Sequence, residues 1–237
     1  MAHSVTGRLA ALALGLGLAI AAGPAGAGSR PVVVELFTSQ GCSSCPPADA
    51  LLGELARRSD VVALGFHISY WDRLGWRDPL SSPAATDRQR NYDRRFTGGT
   101  VYTPQIVVNG TAEMVGSDRR AVLAAVEKAG AAGPAAIAPV SFAADRHSVA
   151  IGAGTGKGDI VLVRFTQRRT TQVGGGENSG RVADDFNGVE QLAHLGAWNG
   201  TALSFPIEPP GPGEGLALLV QAPDGHMLGA AMVLGSG

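Results

Sequence analysis

Cysteine is nearly absent from this chain: 237 residues carry two. Two thiols exclude a disulfide-dense small scaffold and a four-cysteine zinc module. Charge is scarce as well, at 16% of residues, and nineteen basic side chains meet twenty acidic ones for a net charge of −1. No cationic excess remains to neutralise phosphates, which argues against a nucleic-acid partner. No internal repeat is visible, and no motif for an organic cofactor. What the chain has in quantity is glycine (34) and proline (14), together about 20% and below the roughly 25–30% of low-complexity chains. With 45% apolar residues it can fill a core, and its length allows one large domain or two small ones.

The first 27 residues have their own order. A short segment with Arg8 precedes an apolar run from Leu9 to Ala22, and Ala25-Gly26-Ala27 follows after Pro24. A basic start, an apolar centre and an Ala-x-Ala site make a secretory signal peptide, with cleavage expected after Ala27. Fourteen apolar residues fall short of the roughly 20 that span a bilayer. Beyond them no run reaches spanning length, so stable membrane insertion is not expected after cleavage. The expected location is periplasmic or secreted.

From Val32 to Phe37 the chain is β-branched and apolar, a buried strand. Pro46 to Arg58 reads as a helix with Leu51, Leu52 and Leu55 inward and Asp49 and Glu54 outward. Val61 to Ile68 is a second buried strand, and Ser81 to Phe96 a solvated helix with Pro83 in its first turn. Gln105 to Val108 is a third strand, joined through Asn109-Gly110 to Thr111–Val115 as a hairpin. Ser117 is the expected cap of a last helix ending near Gly130. The sum is a βαβαββα unit over residues 28–130. An Ala/Gly/Pro linker at 131–139 would separate it from a smaller all-β, sandwich-like domain at 140–237, built of short runs such as Ile160–Phe165 and Leu216–Gln221.

Chemistry concentrates at Cys42-Ser43-Ser44-Cys45, between the first strand and the first helix. Two intervening residues bring the sulfurs within bonding reach, and helix-start N–H groups favour a thiolate at the leading one. With Ser44 as N-cap, Pro46 and Pro47 fall in the first turn, where their missing N–H groups cost nothing. Cys42 is then expected exposed and attacking, Cys45 buried and resolving. Thr103-Pro104 stands directly before the third strand.

That order of elements, with Cys42-x-x-Cys45 after strand one and Thr103-Pro104 before strand three, resembles the thioredoxin superfamily. More narrowly, Glu35–Asp49, Tyr70-Trp71-Asp72 with Gly75-Trp76, Val101–Gln105, and Gly176-Glu177-Asn178 with Gly180-Arg181 resemble the secreted bacterial family domain of unknown function 1223. The resemblance spans nearly all of the chain after residue 27. It implies a thioredoxin-like fold with a cis Thr103–Pro104 bond beside the cysteines, and Thr103 backbone groups offered to substrate. Ser69 departs from the pattern, standing where an acidic residue is expected, so no proton-handling role is carried over there.

His67, Trp71 and Asp72 fall at the carboxyl end of strand two, the edge where open α/β sheets bind ligands. They are either a substrate-facing rim or interior packing. Glu177 and Arg181 are either a lid over the cysteines or a solvated ion pair. Gly152–Gly158 lacks the leading Gly and the Ser/Thr of a phosphate loop and reads as a hairpin loop. Asn109-Gly110-Thr111 and Asn199-Gly200-Thr201 read as tight turns rather than glycosylation sites.

Two functions compete. A thiol–disulfide oxidoreductase would act on a protein or small-molecule thiol or disulfide through Cys42, with Cys45 resolving and a redox partner of unknown identity. A copper(I)-binding module would use Cys42, Cys45 and His67 as soft and borderline ligands. A purely structural bridge is weakly motivated, because so short a ring removes little chain entropy.

Overall fold

The computed structural model describes residues 30–131 and 137–236. The signal-peptide expectation for 1–27 therefore lies outside the described residues, as does most of the expected linker. Chain order is β1 (Val32–Thr38), α1 (Pro46–Leu55), β2 (Val61–His67), a 3-10 turn (Asp72–Leu74), α2 (Pro83–Phe96), β3 (Gln105–Val108), β4 (Ala112–Val115) and α3 (Arg119–Ala131). Only strands follow: β5 (Val140–Phe142), β6 (Ser148–Ile151), β7 (Gly158–Gln172), β8 (Val182–Trp198), β9 (Leu203–Pro206), β10 (Glu214–Gln221) and β11 (Met227–Leu234). The architecture is mixed α/β, a large body of sheet with few helices.

Eight strands form one sheet in the order β11-β10-β7-β8-β2-β1-β3-β4. Strands β1 and β2 are parallel along their whole length, and β3 runs antiparallel to β1. Here the sequence reading is corrected. The part from 140 onward, expected as a smaller separate sandwich, gives four strands to this same sheet and only β5, β6 and β9 to another. The join is a parallel bridge between Gly65 of β2 and Gly188 of β8, where side chains are absent and Leu52, Phe186 and Leu80 crowd in. No run in the sequence predicts strand β8. Its Asp, Asn, Gln and Gly content reads as loop, and pairing with β7 over most of its length overrides that local signal. The glycine-rich segment 152–157 accordingly links the small sheet to the large one and closes no hairpin.

Period-two alternation in β1 serves two cores. Val32, Val34 and Leu36 pack with Leu51, Leu52 and Leu55 of α1 and Val122 and Val126 of α3. Val33 and Phe37 face a second cluster that holds Tyr92 of α2 and also Val163, Phe165, Ala217 and Leu219 of the later strands. The two halves of the chain thus share apolar interior, and the small sheet covers a third cluster around Trp198.

Local signals decide the helix starts. Ser82 Oγ accepts from Ala85 N ahead of Pro83, as expected of a cap. At α3 the cap is Asp118, whose Oδ1 accepts from Ala121 N, in place of Ser117. Asn109 and Gly110, with φ of 49° and 69°, make the tight turn between β3 and β4. No helix among the described residues is long and apolar enough to cross a membrane.

Candidate functional site

Strand β1 ends at Thr38, and the chain makes two tight turns through Ser39–Cys45 before α1 begins. Cys42 N donates to Ser39 O and Cys45 N to Cys42 O, which brings the Cα atoms of the two cysteines to 5.5 Å and joins them in a disulfide. The helix N-cap is Cys45 itself, with Pro46 at the first position, so the expected Ser44 cap is corrected. Ser44 Oγ instead lies 3.3 Å from Cys42 Sγ and 3.4 Å from Thr103 O. Cys42 was expected exposed; both cysteines are 0% exposed.

The Thr103–Pro104 bond is cis and stands beside the disulfide, with Thr103 Oγ1 donating to Cys42 Sγ at 3.4 Å. Trp71 Nε1 donates in turn to Thr103 Oγ1 at 2.9 Å. Cys42, Cys45, Thr103, Pro104 and Trp71 therefore converge. Asp72 does not join them: its carboxylate accepts from Asp78 N and Ser81 Oγ and closes the 72–81 loop. Ser69 is bound to Thr86 of α2 and ties that loop to the helix.

His67 is buried and turned into a cluster of carboxylates. Nδ1 lies 2.7 Å from Asp78 Oδ2 and Nε2 3.7 Å from Asp185 Oδ1. Both ring nitrogens thus face acids, and among the described residues no three His, Cys, Asp or Glu side chains are grouped to hold a metal ion. This removes the geometric support for His67 as a copper ligand beside the cysteines. Burial pulls its pKa down, but Asp78, with Asp185 and Asp49 farther off, outweighs burial and raises it to about 9.

Several further residues join the site. Gln40, two positions before Cys42, donates from its backbone to Asp78 and from Nε2 to Asp185, and accepts from Trp76 Nε1. It couples the buried acids to the cysteine loop. Asp49, expected outward, accepts from Thr38 Oγ1 at 2.7 Å, and burial raises its pKa to about 7. Asn178, between β7 and β8, donates from Nδ2 to Gln40 O at 2.9 Å and to Cys42 O at 2.8 Å. Glu177 Oε2 accepts from Ser43 N at 3.0 Å and Ser43 Oγ at 2.6 Å. Of the two alternatives for Glu177, the lid is the one that geometry favours. Residues 174–181 form a strap that closes on the cysteine loop from 136 residues away.

A pH prediction follows from the raised pKa of His67. The folded state holds this proton more tightly than the unfolded chain, so its contribution is fully present below about pH 6.5 and is lost as pH rises through 9. Urea midpoints should fall between pH 6.5 and 9.5, and His67→Gln should flatten that fall while lowering the midpoint at pH 6.5. An equal slope in the variant would assign the loss to other groups.

The chain is similar to solved structures. A crystal structure of an Agrobacterium tumefaciens protein is 34% identical, with a TM-score of 0.72 over 86% of this chain and 94% of that one. A structure of HBP35 of Porphyromonas gingivalis is 14% identical, with a TM-score of 0.55 over 87% of this chain and 76% of that one, a likeness of fold alone. No curated protein matches the chain. The family described as Protein of unknown function (DUF1223) matches residues 33–221, the segment that holds the cysteine loop, Trp71, Thr103-Pro104 and the strap, and the chain belongs to that family.

Proposed function

We propose that this protein is an exported thiol–disulfide oxidoreductase of thioredoxin-like fold, working through Cys42 and Cys45. The observation that carries the proposal is the approach of two hydroxyl groups, Thr103 Oγ1 and Ser44 Oγ, to Cys42 Sγ. In the reduced protein both can donate to a Cys42 thiolate and favour it over the thiol, whereas among the described residues no such contact serves Cys45. In the oxidising direction a substrate thiolate attacks Cys42 Sγ and the Cys42–Cys45 bond breaks. Cys45 leaves with the electron pair and takes up a proton. A second substrate thiol then attacks the mixed disulfide, releasing oxidised substrate and the Cys42 thiolate. Two electrons pass from substrate to protein, and the reverse sequence reduces a substrate disulfide.

The βαβαββα order of residues 32–131 supports the thioredoxin-like reading. The signal-like segment 1–27 supports export, to a compartment where disulfides persist. The protein should equilibrate reversibly with glutathione buffers, read as the fraction alkylated after acid quenching. Cys45→Ser should accumulate a mixed disulfide on Cys42 with a disulfide substrate such as oxidised glutathione, the Cys42 thiolate displacing one substrate thiolate and no second cysteine resolving the bond. A pair that does not cycle, or a mixed disulfide that forms on Cys45 in preference, overturns the proposal.

A further inference from the structure

Beside the first turn of α1 lies a cleft of about 390 Å³, which Ser39, Gln40 and Asn178 next to the cysteine loop also line. Pro46, Asp49 and Ala50 form one wall, and Val173, Val182 and Phe186 line the other. The second wall belongs largely to the first residues of β8. Over Val182–Phe186 that strand pairs with β7 on one side only, because its contact with β2 begins at Gly188.

The antiparallel ladder fixes which backbone groups face the open side. Val173 N donates to Arg181 O, so those two residues form a hydrogen-bonded pair. Pairs alternate along an antiparallel ladder, and Val182↔Gln172 and Asp184↔Thr170 are therefore the non-bonded ones. The backbone N–H and C=O of Val182 and Asp184 point away from β7, and neither residue bonds through its backbone to a turn or loop. Val182 is 61% exposed, which makes it the most exposed large apolar side chain among the described residues. An open strand edge with an apolar residue on it is a template for another extended chain. The same strand runs directly into the strap that holds Cys42.

We propose that the Val182–Phe186 edge takes an extended segment of a protein substrate as an added strand, bound by backbone pairing and by apolar side chains set into the cleft. This rests on the oxidoreductase reading for the word substrate, but the binding itself does not. An extended polypeptide is the occupant that offers backbone donors and acceptors at the strand repeat, and a compact small thiol does not.

The test uses the oxidised full-length mature chain and a cysteine-free ten-residue peptide of alternating Val and Thr with terminal Lys. Binding should protect the Val182 and Asp184 amides from hydrogen exchange. Val182→Pro, which removes one outward donor and leaves the β7 ladder intact, should weaken binding by roughly tenfold. Val182→Ala keeps the donor and should weaken it less. In turnover, Val182→Pro should slow oxidation of reduced, unfolded ribonuclease by a larger factor than it changes exchange with glutathione. Three results overturn the proposal: no peptide binding by the parent protein, protection confined to the β4 or β11 edge, or protection of Val182 by self-association without peptide. Failure of glutathione exchange in the parent protein would instead sink the oxidoreductase reading, with the peptide arm still readable. If Val182→Pro fails to fold, amide protection in the parent protein decides alone.

Discussion

Asn178→Ala is expected to speed reduction of the Cys42–Cys45 bridge by tris(carboxyethyl)phosphine by roughly 30- to 100-fold. Neither sulfur is exposed, so reagent reaches the bond only when the covering structure opens. The strap is held to the cysteine loop chiefly by Asn178, whose amide donates to the buried carbonyls of Gln40 and Cys42. Two such bonds are worth about 2–3 kcal/mol net, and each 1.4 kcal/mol changes an opening equilibrium about tenfold. Asn178 Oδ1 is buried without a partner, so alanine also removes an unsatisfied acceptor and the cost to overall stability is partly offset. Asn178→Asp sets an acceptor against two carbonyls and should open the strap further than alanine does. Glu177→Gln should have a smaller effect, because Ser43 and Glu177 meet at the surface, where such bonds contribute little. The measurement is the pseudo-first-order reduction rate at reagent concentrations where denaturant curves show the fold intact. Unchanged rates in all three variants would mean that the disulfide is reached by another route.

Arg88→Met should destabilise the protein by about 3–5 kcal/mol, the cost of leaving a buried charge unpaired. Glu35 is 0% exposed in the middle of β1, and alternation along the strand turns it to the same side as Val33 and Phe37. There Arg88 Nε of α2 pairs with its carboxylate, and Tyr92 Oη donates to the other oxygen. Gln221 Nε2 of β10 donates to Tyr92 Oη, so the network ties the early strands to the late ones. The guanidinium also lies over the rings of Phe66 and Tyr92 at 5.5 and 5.4 Å. For a chain of this size the loss corresponds to a fall in Tm of roughly 10–15 °C. Replacing both partners, Glu35→Met with Arg88→Met, should recover most of it, since a buried ion pair replaced by packed apolar side chains is often neutral. Calorimetry of the single and double variants checks this, and a single-variant loss below about 1 kcal/mol would mean that water or another cation reaches Glu35.

These two sites differ in how far they could be read from residues in order. Glu35 stands out as the one charge in an apolar run, yet its partner on a polar, arginine-rich helix is one of several candidates. Asn178 lies in a glycine-rich motif that carries the family resemblance, but nothing in its neighbours says that it bonds to the carbonyls of Gln40 and Cys42. Helical spacing alone sets Asp49 outward, whereas the strap and β8 cover that side of α1.

By itself the sequence determined what is local. Continuous apolar runs made β1 and β2, Ser82-Pro83 started α2, Asn109-Gly110 turned β3 into β4, and two residues between the cysteines allowed the bridge. Each of these depends on sterics and hydrogen bonds within a few residues, so each is written in neighbouring letters. Tertiary structure alone decided that β8 pairs with β2 and merges the two halves, that His67 faces Asp78 and Asp185, and that Asn178 covers Cys42. Those contacts join residues 11 to 136 positions apart. Their formation depends on which surfaces the whole chain leaves unpaired once its strands are in register, a quantity that no window of sequence contains.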